Sequence, residues 1–294
     1  MRCTKLFLGV VLCASYLMAQ DPTFVYTNND RATNSVSAFS VAANGALAAV
    51  PSSPFLTGGT GVGEGFFALN HITTAIVKDF LYAGNSGSNN VSAFSVNPTT
   101  GVLTAVAGSP FATGGSADGV GISLATTPDD KFLIAANGAS ANITVSSIAA
   151  NGALSPVAGS PFPAGAGGSP DGIKVTPDGK FLAVARPSGP NVVSMFSIST
   201  LGALTPVPGS PFPAGGTGSA TGVDCNRTSN HLFIGEAKFG STIVSVQSIS
   251  LNGALSPIAG SPFTGPGSNS NVVVLSPDDS KLFVSNQASV VRHK

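Results

Sequence analysis

The chain has 294 residues, with 13 basic and 13 acidic side chains and a formal net charge of zero; only 9% of residues are charged. That is far below the quarter or so usual in globular proteins, and with no basic run or patch neither nucleic acid nor an anionic membrane surface is expected as a partner. Glycine (36) and proline (21) together make about a fifth of the chain, short of the roughly 25–30% that marks disorder.

In chain order, Arg2 and Lys5 form a positive lead, Leu6–Met18 a short apolar run, and Ala19 a small residue before Gln20. This predicts a secretory signal peptide over 1–19, too short to span a bilayer, and a secreted or periplasmic mature protein with no transmembrane segment. A lipoprotein site at Cys13 fits less well, because Leu12 stands where a small residue is wanted. Removing the leader takes Cys3 and Cys13 with it. Cys225 then has no internal disulfide partner and is expected as a small buried hydrophobe.

From residue 20 onward one unit recurs. Ser-Pro-Phe begins at Ser53, Ser109, Ser160, Ser210 and Ser261, at intervals of 56, 51, 50 and 51 residues. Upstream of each lies a glycine turn and a leucine: Gly45-Ala46-Leu47, Gly101-Val102-Leu103, Gly152-Ala153-Leu154, Gly202-Ala203-Leu204 and Gly253-Ala254-Leu255. Asn-Gly ahead of a short apolar strand is hairpin chemistry, since both residues accept the positive φ of a tight turn. The clearest copy predicts four strands: Ile173–Thr176, then Phe181–Ala185 after the Pro177-Asp178-Gly179 turn, Val192–Ile198, and a segment from Leu204 into Ser210-Pro211-Phe212. The second is continuously apolar, as suits a strand covered on both faces. The proline-bearing fourth suits an outer edge.

A period near 50 residues with four strands per unit predicts an all-β fold, a β-propeller of four-stranded antiparallel blades. The units run about 22–64, 65–116, 117–168, 169–220 and 221–268, with a partial unit at 269–294. The first unit opens on Phe24–Asn28 and lacks an innermost strand of its own. Five or six blades result, or an incompletely closed member of a larger propeller. Such a member would have an edge strand open to self-association.

The repeat resembles the lactonase family of β-propellers, whose namesake reaction is 6-phosphogluconolactone hydrolysis, and the related Tyr-Val-Thr-Asn repeat propellers. The resemblance rests on Thr176-Pro177-Asp178-Gly179-Lys180-Phe181-Leu182, Thr127-Pro128-Asp129-Asp130-Lys131-Phe132-Leu133, Ser276-Pro277-Asp278-Asp279 and Val25-Tyr26-Thr27-Asn28-Asn29. It implies seven blades, histidines just before the innermost strands, and arginine and glutamate facing a central channel. The positions before those strands here are Asp171, Gly121, Gly222 and Asn271, with His71 nearby in the second unit.

Loops at one face of a propeller open around its axis. The polar residues placed there are Glu64, Asp118 and Asp171 ahead of innermost strands, and Asp30, Arg31, Asn85, Asn137, Arg186, Glu236 and Lys238 after second strands. A lactonase needs a base for water and a donor for the developing oxyanion. The candidate catalytic set is therefore Arg186, Glu236, His71 and Asp171, with the remainder as a ligand-binding rim. Asp129, Asp178 and Asp278 recur with their turns and are read as turn caps. His231 is aligned with Lys180 and Lys131 as a solvated residue. No metal-ligand spacing is present and no cofactor is expected. Two functions stand: hydrolysis of a sugar-type lactone, or non-catalytic binding of a carbohydrate, envelope component or protein by the loop face.

Overall fold

A computed structural model describes residues 23–63, 72–75 (backbone only), 78–117, 121–165, 168–187 and 191–286. All regular secondary structure among them is β-strand, in six consecutive sheets. The fourth shows the plan, with Ile173–Val175, Phe181–Arg186, Val192–Ile198 and Leu204–Pro206 following one another in an antiparallel meander. The first sheet begins at Thr23–Asn28 and the sixth consists of Ser270–Leu275 and Leu282–Asn286.

Innermost strands of successive blades lie side by side, from Ile72–Ala75 through Ile122–Thr126, Ile173–Val175 and Ser219–Cys225 to Ser270–Leu275. The sheets therefore fan about a common axis.

One strand was not legible. Ser-Pro-Phe does not simply end the fourth strand; Phe212–Pro213 forms a separate two-residue strand that returns to Val192 and Val193. The serine explains the motif. Ser210 Oγ accepts the Met195 N–H at 2.9 Å, and Ser53, Ser109, Ser160 and Ser261 do the same for Ala38, Ala93, Val145 and Val246. A third-strand amide that would otherwise face no ladder partner is thus satisfied in each of the first five units.

Second strands Phe80–Asn85, Phe132–Asn137 and Phe181–Arg186 are buried along their whole length, as continuous apolar runs between two blades should be. Each blade packs on the next through the glycine turn. Gly253 has φ +83°, and a Cβ on it would lie 2.5 Å from the Phe181 ring. Gly101, Gly152 and Gly202 meet Phe24, Phe80 and Phe132 in the same way. Tyr26 and Tyr82 hydroxyls donate to the carbonyls of Gly101 and Gly152 at 3.0 and 3.1 Å. Only glycine combines the left-handed turn with this approach to a ring.

His231 differs from its expected alignment. It is the first residue of His231–Lys238 and pairs with Ser248, as Phe181 pairs with Ser197, so it occupies the phenylalanine position rather than a lysine position. Its ring bonds Asn230 Oδ1 at 2.8 Å. Cys225 is buried as expected, and desolvation pushes its thiol up to about 12.

The outward faces of the terminal blades are open among the described residues. Val25 is 44% and Leu47 58% exposed, whereas Leu232 and Leu255 at the same positions of the fifth blade are 0% and 7% exposed. Phe283 of the sixth blade is exposed as well, and on the opposite face of its strand Leu282 meets an apolar groove of about 570 Å³ lined by Phe233, Val244, Val246, Ile258 and Phe263.

Candidate site at the loop face

His71, Glu64 and Asp118 lie outside the described residues, as do the leader and residues 287–294. The remaining nominated residues fall into three groups.

Asn85, Asn137, Arg186 and Glu236 occupy one position, at the loop end of the second strand in successive blades, and all four are buried. Arg186 and Glu236 fasten the loop that enters their blade from the preceding one, whereas Asn85 and Asn137 bond the third strand of their own blade. Asn85 Nδ2 donates to Asn90 Oδ1 and Ser92 Oγ at 2.8 and 2.7 Å, and its oxygen accepts Asn34 Nδ2 from the first blade at 2.8 Å. Asn137 donates to Asn142 and Thr144 at 2.8 and 3.0 Å.

Glu236 accepts Asn191 Nδ2 at 2.6 Å, the Gly216 and Gly218 amides at 2.9 and 3.2 Å, and the Ser245 hydroxyl. Four donors occupy a carboxylate that offers about four acceptor sites.

Arg186 inverts this pattern. Its Nη1 and Nη2 donate to the carbonyls of Ala164 and Gly168, where Glu236 accepts amides of the corresponding loop. A charge at this position takes its sign from the way the loop backbone is turned. The residue before the third strand is Asn34, Asn89, Ala141 and Asn191 in the first four units, so the alanine falls in the unit just before the one that holds Arg186. Arg186 also takes the carbonyl type that Ser92 and Thr144 hydroxyls use in their own blades, at Thr57 and Thr113. Ser194, the equivalent serine, is left without a partner, as is Arg186 Nε. Desolvation lowers the Arg186 pKa.

Asp171 stands apart. It is 7% exposed, its amide donates to Ala185 O at 2.9 Å, and the next amide, Gly172, donates to Thr221 O of the fifth blade at 2.9 Å. It therefore sits where two innermost strands meet at the loop face. Burial raises its carboxyl to about 8, so it is mostly protonated at neutral pH. No ion pair joins it to Arg186 among the described residues.

At the rim, Asp30 (φ +47°) and Arg31 present carbonyls to the amides of Gly63 and Gly61 at 3.0 and 2.7 Å and shape the first loop. Burial raises the Asp30 pKa, against a backbone hydrogen bond from Val62 that lowers it. Exposed Lys238 donates to Thr217 Oγ1 at 2.7 Å.

Two residues were missed. Lys174 and Asp224 hold the same position on adjacent innermost strands and form an ion pair at 2.7 Å, lining a recess of about 110 Å³ with Gly222 and Val272–Val274. Aligning the units by their glycines, Gly172 with Gly222, would have exposed a lysine facing an aspartate at one phase.

Radial antiparallel sheets with their innermost strands side by side define a β-propeller. Residues 33–167 match the family described as lactonase, 7-bladed beta-propeller. No curated protein matches. A candidate 6-phosphogluconolactonase from Bacteroides uniformis superposes with TM-score 0.71 at 16% identity, covering 89% of this chain and 74% of that one. The periplasmic gluconolactonase PpgL of Pseudomonas aeruginosa gives 0.68 at 16%, covering 90% and 75%. A Lactobacillus plantarum protein gives 0.70 at 17%, covering 90% and 75%. At such identities the likeness speaks for the fold.

Proposed function

We propose that the protein is an exported lactonase-like enzyme that opens a sugar-type lactone by hydrolysis at the axial loop face. The observation that carries this reading, beside the family match, is Asp171: a carboxyl held protonated near neutral pH where two innermost strands meet. Ring opening releases an alkoxide, and a neutral carboxyl can give it a proton as the C–O bond breaks. His71 is proposed as the base that takes the proton of the attacking water. Arg186 gives one N–H each of Nη1 and Nη2 to loop carbonyls and keeps three of its five, and is proposed to support the developing oxyanion. The products are one hydroxy acid per lactone and water consumed, with Asp171 reprotonated from solvent. Export is supported by the leader-like residues 1–19 and by the periplasmic setting of the similar Pseudomonas protein.

A second reading, binding without turnover, is favoured by the bonds that occupy Glu236 fully and Arg186 at both terminal nitrogens. The deciding experiment is acid release from a panel of aldonolactones by purified protein. Turnover that falls at least about tenfold in Asp171→Asn supports the enzyme. No rate above buffer for any lactone removes it.

A further inference from the structure

We propose that the Lys174–Asp224 recess on the axial wall is a subsite for two neighbouring hydroxyls of a polyhydroxylated ring. The inference rests on the lactonase reading only for the ring it places there. Among the described residues the other three ion pairs lie in exposed turns: Lys131–Asp129, Lys180–Asp178 and Arg227–Asp279. Lys174–Asp224 alone has a partner that is nearly buried, with side-chain exposures of 39% and 10%. In a chain with so few charges, an ion pair on the axis wall needs a reason, since such pairs add little to stability.

The geometry supplies one. Asp224 is fixed from two further directions: Oδ1 accepts its neighbour Cys225 N–H at 2.9 Å and Oδ2 accepts the Leu275 N–H of the sixth blade at 2.7 Å. Oδ1, which also takes the ammonium, is filled, while Oδ2 keeps a lone pair. The ammonium keeps two of its three N–H groups. A donor and an acceptor thus stand side by side, on a carboxylate that cannot turn away, which is the pattern that reads adjacent hydroxyls. An anionic ligand group fits less well, because the pair is neutral as a unit. The recess of about 110 Å³ matches roughly four waters and is below the roughly 300 Å³ of an enclosing pocket, so it would seat one edge of a ring. Gly222 and strand residues Val272–Val274 complete its lining.

The test uses 1,5-anhydroglucitol, a pyranose polyol with no lactone carbonyl, and tetrahydropyran as a ring without hydroxyls, read by amide chemical-shift titration. The wild-type protein is expected to bind the polyol with a dissociation constant of order millimolar, and Lys174→Met to weaken it at least about tenfold. Asp224→Asn, which keeps the side chain's shape, is expected to do the same. Tetrahydropyran is expected not to bind. Polyol binding unchanged in both variants, equal binding of tetrahydropyran, or no polyol binding by the wild type overturns the proposal. Polyol binding lost in the variants, in a protein that turns over no lactone, upholds the subsite while refuting the hydrolase.

Discussion

Glu236→Gln separates loop fastening from chemistry. The carboxylate is 0% exposed and accepts four hydrogen bonds. Glutamine keeps one oxygen, and its amide nitrogen must replace the other. Placed at Oε1, it meets the Ser245 hydroxyl, which can rotate to accept, and the Gly216 amide, which cannot. One buried backbone N–H then faces another donor, and the remaining bonds lose their charge assistance. Hydrogen bonds to charged groups are worth roughly 1.5–3 kcal/mol and an unsatisfied buried donor costs about 1–3 kcal/mol, so the loss should be about 2–4 kcal/mol. Against a total of roughly 5–15 kcal/mol that is severe. With unfolding entropy near 2.1 cal/mol/K per residue, about 3 kcal/mol lowers the melting temperature of a domain this size by roughly 5 °C. Urea denaturation with a parallel thermal scan reads it. A variant that melts with the wild type yet loses lactone turnover would refute the fastening role and return Glu236 to the reaction as its base.

Asp171 predicts a pH dependence. Its carboxyl ionises near 3.8 in the unfolded chain and near 8 when folded, so the folded state holds the extra proton between those values. Stability is full below about pH 4 and falls as pH rises to about 8, by on the order of 5 kcal/mol; Asp171→Asn should flatten that slope in urea titrations at several pH values. Leu255→Ala removes a side chain pressed between the fourth and fifth blades and should cost about 2–5 kcal/mol, while Leu47→Ala at the same repeat position, 58% exposed, should stay within about 0.5 kcal/mol; equal costs would mean that the first blade's outer face is covered. The exposed Phe283 on the outer face of the sixth blade predicts concentration-dependent self-association in sedimentation velocity, shifted toward monomer by Phe283→Ser.

Much of the fold was legible because the repeat states it five times. The Ser-Pro-Phe spacing, the glycine turns and the apolar second strands each carry a local reason that needs no distant partner. The third strand Val192–Ile198 was read to its ends. The two-residue strand Phe212–Pro213 was not, because two residues have no periodicity and pair only once the sheet exists. The site was legible as a set of positions and not as a set of roles. A charged residue after a second strand reads as a rim residue, and whether it meets solvent or the backbone of an incoming loop depends on how that loop is turned.

The order of residues alone settles the hairpin turns, the blade period and the burial of the second strands, since each follows from φ preference and apolar pattern within one unit. Only the assembled arc decides that Arg186 bonds the carbonyls of Ala164 and Gly168 while Glu236 accepts the amides of Gly216 and Gly218. It also decides that Asp171 keeps its proton and that Lys174 faces Asp224. These pairings join residues of different strands, loops and blades. Desolvation and hydrogen-bond geometry come into being only when those segments pack together.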